Sequence, residues 1–131
     1  DKVKAYMYYQ LSIEGGFRGH LGLDQVTSQT AEIDAVMLSP SAQGRGVAKA
    51  SLTTLISWSR SCLELDTLTL DVISSNENAI AMYSRLGFEV SSLSPLIELH
   101  EGPLTKLVDA KPADKTTRLS RVRMSKEIGL P

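Results

Sequence analysis

The chain has 131 residues, long enough for one hydrophobic core and short for two. It is 42% hydrophobic and 22% charged with a formal net charge of −1, so it carries no electrostatic footprint for nucleic acid or a membrane surface. Cys62 is the only cysteine, which excludes an intrachain disulfide and a cysteine-rich metal site, and two histidines, His20 and His100, are too few for an ordinary zinc site. No apolar run approaches the roughly 18 residues of a membrane span and no signal peptide is visible, so a reducing cytoplasm is the expected compartment. The tail from Lys106 onward is more basic and reads as a solvated face. The chain opens at Asp1 and runs almost directly into a strand, as expected of an excised part of a longer protein.

In chain order, Val3 to Leu11 is aromatic and β-rich, and reads as a strand. Gly15-Gly16 turns it into a second strand, Phe17 to Asp24, making an antiparallel hairpin. After a polar turn over 25–29, Thr30 to Leu38 is a third strand. Glu32, Asp34, Val36 and Leu38 share one of its faces, and Ile33, Ala35 and Met37 the other. Pro40 ends the pairing. From Gly44 to about Cys62 the period becomes helical, with Ala48, Leu52, Leu55, Ile56 and Ser59 forming one stripe; Trp58 and Cys62 read as packing residues. Thr67 to Ile73 is a strand and Asn76 to Leu86 a second helix, closed by Gly87. Phe88 to Val90 begins another strand. Residues 91–117, which hold Pro95, Pro103 and Pro112, are assigned no element, and Arg118 to Ile128 reads as a last, exposed strand that could pair across a homodimer. The expected architecture is a mixed sheet with helices packed on it.

Two stretches carry chemistry. Gln43-Gly44-Arg45-Gly46-Val47-Ala48 lies where a strand feeds a glycine turn that opens a helix. Unpaired N–H groups of the first helical turn, with the helix dipole, favour phosphate oxygens there. Gly44 and Gly46 let a ligand approach the backbone, and Arg45 adds a charged donor. The same residues also read as a plain turn and helix start. The second stretch runs from Asn76 to Phe88. Here the sequence resembles the GNAT superfamily of acyl-CoA-dependent N-acyltransferases. Gln43, Gly46 and Ala48 match its pyrophosphate motif, Gln/Arg-x-x-Gly-x-Gly/Ala. Asn76, Ala79, Tyr83, Gly87 and Phe88 match its Asn-x-x-Ala-x-x-x-Tyr-x-x-x-Gly-Phe motif.

The resemblance implies an α/β fold of the GNAT type, with a mostly antiparallel central sheet, a splayed parallel pair and flanking helices. It implies one such domain over residues 1–131, truncated at the N-terminus relative to the family, whose members usually begin with a strand and one or two helices. It further implies acetyl-CoA as cosubstrate without a metal. Backbone amides within Gln43 to Ala48 would hold the pyrophosphate, and backbone groups of Met37 and Leu38 would pair with the pantetheine arm. Asn76 would hydrogen-bond that arm or simply cap its helix. Tyr83 would donate to the departing sulfur. A phenol near pKa ~10 and a thiol near ~8.5 make full proton transfer uphill by roughly 2 kcal/mol, so a strengthening hydrogen bond is the better description.

Glu32 is the candidate general base, with Asp34 on the same face as rival and His20 on the neighbouring strand as a further acceptor. A carboxylate near ~4.3 facing an ammonium near ~10.4 is short by roughly 8 kcal/mol. Burial or a relay through water must close that gap. The implied activity is direct transfer of acetyl to a primary amine, on a small molecule or a peptide, in a ternary complex. The alternative is a non-catalytic acyl-CoA-binding or regulatory domain of a larger protein.

Overall fold

The structure, a computed structural model, describes residues 7–13, 16–37, 47–112, 114 and 118–129. Among these lie seven strands and two helices: β1 (Met7–Ile13), β2 (Gly16–Asp24), β3 (Thr30–Met37), α1 (Val47–Cys62), β4 (Thr67–Ile73), α2 (Glu77–Arg85), β5 (Glu89–Glu101), β6 (Leu104–Asp109) and β7 (Ser120–Glu127). The chain divides into two compact units, Asp1–Leu70 with Lys126–Pro131, and Asp71–Ser125.

In the first unit the strand order is β1-β2-β3-β4. The β1/β2 and β2/β3 pairs are antiparallel, as short connections require, while β3 and β4 run parallel. The parallel ladder covers only the first three residues of each strand, Thr30↔Thr67 to Glu32↔Thr69. This is the splayed parallel pair expected from the sequence. The carbonyl of Gln29 starts the ladder by accepting from the N–H groups of Asp66 and Thr67, at 2.7 and 3.1 Å.

The apolar alternation of β2 and β3 buries Leu21, Leu23, Ala31 and Ile33, and α1, packed against β2, adds Leu52 and Leu55. Ser59 continues the helical stripe. It is fully buried, and its hydroxyl donates to the Leu55 carbonyl at 2.7 Å, so its desolvated oxygen is satisfied. Leu65, Leu68, Leu70 and Ile128 complete this core. Cys62, expected to pack, is exposed: it is the last residue of α1.

The second unit has the order β4-β7-β5-β6, all β5 pairs being antiparallel. Here the structure supplies strands that the sequence left unassigned, and it corrects one expectation. Residues 91–109 are mostly strand: β5 runs through Pro95, pairing first with β7 and then, from Leu96, with β6. Pro95 is tolerated because its carbonyl accepts from Ala110, at 2.9 Å, on the side away from β7. Its missing N–H therefore interrupts no bond to β7. The hairpin to β6 closes through Gly102 at φ +60°, as a two-residue turn with glycine at its first central position demands. The last strand is no free edge: β7 lies between β4 and β5, so pairing across a dimer through residues 118–128 is ruled out. Val122 and Met124 alternate inward from it, with Phe88 and Leu96 also buried.

Leu55 is 0% exposed and Leu93, on β5, is 64% exposed. Leu55→Ala is expected to lower unfolding free energy by about 2–5 kcal/mol. Leu93→Ala should stay within about 0.5 kcal/mol. Denaturant unfolding of the two variants beside the parent chain checks both.

Candidate functional site

Glu32 and Asp34 sit two residues apart on β3 and hence on one face of it. Glu32 is half-buried, in register with Asp24 of β2 and Thr69 of β4; Asp34, opposite Gly22, is exposed. Glu32 is thus the more shielded of the two carboxylates. His20 lies in register with Gln10 and Val36, one strand away. Met37 ends β3, opposite Gly19. Leu38, Gln43, Gly44, Arg45 and Gly46 lie outside the described residues. Val47 and Ala48 open α1, whose first turn holds no acidic side chain to compete for the orphan N–H groups.

The second stretch folds as a helix with a defined stop at each end. Asn76 is the N-cap of α2. Its Oδ1 accepts from the Ala79 N–H at 3.3 Å, and its carbonyl accepts from Ile80 at 3.1 Å. The capping reading of Asn76 is therefore realised, and its side-chain amide keeps two N–H donors. At the other end Gly87, at φ +95°, donates to the Ser84 carbonyl at 3.0 Å, and Phe88 donates to the Tyr83 carbonyl at 3.0 Å. These are the two bonds of a Schellman motif, whose accompanying apolar contact joins the residue after the glycine to the helix three positions before its cap. Here those residues are Phe88 and Tyr83. Their rings meet edge to face, with centroids 6.1 Å apart and planes at 68°. The spacing Tyr-x-x-x-Gly-Phe is thus first a helix stop, and the stop fixes the tyrosine ring against a phenylalanine that is 2% exposed.

Burial raises the pKa of Tyr83 above the ordinary tyrosine value. The phenol is held neutral, as a hydrogen-bond donor, and is a poorer source of a fully transferred proton than a solvated tyrosine. No residue of α2 is itself buried, so its end contacts matter more than usual for its placement.

Three contacts in this unit escaped the sequence reading. The Ser74 N–H donates to the Ser120 carbonyl at 2.8 Å, and the Ser120 N–H donates back to Ser74 Oγ at 2.9 Å. Arg123 grips Asp71 with two bonds, Nε to Oδ1 at 2.9 Å and a terminal nitrogen to Oδ2 at 3.0 Å. Arg121 reaches Asp109 at 2.8 Å. The alternating Arg-x-Arg of β7 was the only signal in the sequence that could have pointed to the two ion pairs. A serine carries no such signal. Beside these pairs a depression of about 220 Å³ is lined by Asp71, Val72, Ile73, Leu96, Leu107 and Arg121. Among the described residues no cluster of three or more His, Cys, Asp or Glu could hold a metal ion, and no helix is long and apolar enough to cross a membrane.

The model of the Acetyltransferase (GNAT) family matches residues 2–88, which include both motif stretches. The chain belongs to that family. Over 68 residues it is 31% identical to an N-acetyltransferase 9-like protein of Nematostella vectensis; the match takes in 52% of this chain and 34% of that protein. Among solved structures, the ribosomal-protein-S18-alanine N-acetyltransferase of Escherichia coli superposes with a TM-score of 0.69 at 23% identity, covering 96% of this chain and 71% of that one. The Vibrio cholerae spermidine N-acetyltransferase, solved with CoA and spermine, gives 0.65 at 20% identity over 88% of this chain and 60% of that one. These likenesses establish the GNAT fold. The match takes in about a third of the length of that Nematostella vectensis relative.

The raised pKa of Tyr83 carries a sign for stability. Below pH ~10 the phenol is neutral in both folded and unfolded chains and contributes no pH dependence. As pH rises past that value the unfolded chain ionises first, so the folded state loses stability until the higher folded pKa is passed. Tyr83→Phe is expected to flatten this alkaline loss, measured as unfolding free energy in a series of buffers above pH ~10.

Proposed function

We propose that this chain is an acetyltransferase domain that moves the acetyl group of acetyl-CoA directly to a primary amine in a ternary complex. The observation that carries this reading is that the family match over residues 2–88 takes in both Gln43–Ala48 and Asn76–Phe88, in order and separated by α1 and β4. Acetyl-CoA, the cosubstrate, supplies the thioester. Its fit to the chain is supported by an α1 first turn free of acidic side chains and by a tyrosine kept neutral at the end of α2.

In this reading the amides within Gln43 to Ala48, with Gly44, Arg45, Gly46 and Val47, hold the pyrophosphate. Backbone groups of Met37 and Leu38 pair with the pantetheine amides, and the free side-chain N–H groups of Asn76 donate to the same arm. The amine nitrogen forms a bond to the carbonyl carbon as the carbon–sulfur bond breaks. Tyr83 donates a hydrogen bond to the departing sulfur, and this bond strengthens as charge builds there. Glu32, directly or through a water, takes the proton that the amine gives up; Asp34 holds the ammonium beforehand. The acceptor is a primary amine of the kinds borne by the substrates of the two solved relatives, a polyamine or a peptide α-amine.

Binding is tested by thermal unfolding with and without excess acetyl-CoA. At a hundred times Kd the ligand should add about 2.7 kcal/mol, seen as an upward Tm shift of several degrees (~4–8 for a domain of about 100 residues). Gly46→Trp should abolish most of that shift; an undiminished shift would remove the phosphate turn from the site. Turnover is tested with a panel of amines and detection of the free thiol. Tyr83→Phe keeps the ring against Phe88 and deletes only the hydroxyl. It should therefore lower kcat at least tenfold with acetyl-CoA affinity unchanged, and unaltered turnover would remove Tyr83 from the chemistry. Binding without turnover on every amine would favour a non-catalytic acyl-CoA-binding role.

A further inference from the structure

We infer that Ser74 is a positioning residue: its reciprocal pair of hydrogen bonds with Ser120 anchors the entry of α2 to β7, and through α2 sets where the Tyr83 hydroxyl lies. The inference rests on the role given to Tyr83 above, and it concerns a residue that neither motif contains.

The geometry is specific to the junction. β4 ends at Ile73, and its carbonyl accepts from the Asn76 N–H at 2.9 Å, closing a tight turn over Ser74 and Ser75. The first residue inside that turn, Ser74, exchanges two bonds with Ser120, one through its N–H and one through Oγ. Ser120 is the first residue of β7, a central strand bonded to β5 on its far side. The turn is therefore tied to the sheet interior of its unit two residues before the α2 N-cap. The backbone half of the tie is available to any residue. The Oγ half is not: without it the half-buried Ser120 N–H loses its acceptor.

A helix can usually rely on a buried apolar face to fix its position, but α2 buries no residue fully. Its placement depends on its two ends. The C-terminal end is held by the Phe88 N–H bond to the Tyr83 carbonyl and by the ring contact between the two residues. The N-terminal end is held by Asn76 and, beyond it, by the Ser74–Ser120 exchange. Asn76 and Tyr83 are seven residues apart, two helical turns, and so lie on one face of α2. A shift of the entry turn is transmitted along that face to the phenol. Misplacement of a donor by about 1 Å is enough to cost a hundredfold in rate.

The experiment combines amide exchange with kinetics on the full chain. Ser74→Ala should raise exchange of the Ile80 to Tyr83 amides roughly 3–10-fold, as loss of one partly buried hydrogen bond does. It should lower kcat by a similar factor with acetyl-CoA affinity unchanged. Ser74→Thr, which keeps the oxygen, should restore both. In a Tyr83→Phe background, Ser74→Ala should have no further effect on kcat, because the group it positions is gone. Multiplicative losses in the double variant, or unchanged amide exchange in Ser74→Ala, would overturn the inference. Exchange is read without turnover, so an inactive chain still tests the anchor; unaltered turnover in Tyr83→Phe alone would instead indict the functional reading. Should Ser74→Ala fail to fold, Ser74→Gly and Ser74→Thr provide the same comparison of oxygen absent against oxygen present.

Discussion

Two neighbouring strands of the first unit run parallel, and much of the remaining architecture follows from that constraint. Antiparallel neighbours such as β1, β2 and β3 can be joined by short turns, but the end of β3 and the start of β4 lie at opposite ends of the sheet. A crossover is needed, and α1 supplies it, burying Leu52, Leu55 and Ser59. The crossover also brings the start of α1 in sequence after the C-terminal end of β3, the end at which the parallel ladder has already stopped. An opened strand pair and a following helix N-terminus are thus two consequences of one connection. In open α/β sheets this carboxyl end of the strands is where ligands settle.

The second unit solves a different problem. Its helix α2 is short, and its side chains are at best half-buried, so packing alone would leave it loosely placed. Both ends are instead fixed by specific hydrogen bonds: an asparagine cap preceded by the serine exchange with β7, and a Schellman stop carrying an aromatic contact. The ring of the tyrosine at that stop belongs to the helix stop itself. This explains why a glycine and a phenylalanine travel with it at fixed spacing. The glycine is required by the left-handed turn and the phenylalanine by the ring contact; neither has reactive chemistry of its own.

The sheet face of β7 makes a further point about electrostatics. Arg121 and Arg123 project from alternate positions of one strand and meet Asp109 and Asp71, while Val122 and Met124 turn to the other face and are buried. Exposed ion pairs of this kind contribute up to about 1 kcal/mol each. The two-pronged grip on Asp71 adds direction: it aligns the second half of β4 with β7 just before the turn at Ser74.

What the sequence by itself determined is what neighbouring residues can decide among themselves. The hairpin of β1 and β2, the α1 stripe, β4 from Thr67 to Ile73, the Asn76 cap and the Gly87 stop all follow from periodicity and local capping, and all were legible. Both motif stretches were legible for the same reason, since each is a short run at fixed spacing. Tertiary structure alone decided which segments became neighbours. β7 looked like an exposed last strand, yet it was inserted between β4 and β5, because a buried strand and an edge strand carry the same local pattern. Pro95 gave no local sign that it would sit within a strand, with its missing N–H facing away from β7. Ser74 meets Ser120 across 46 positions of chain, and no rule of local spacing reaches that far. Local signals fix the elements because their energies depend on residues a few positions apart; the pairing of elements depends on surfaces that exist only once the elements have formed.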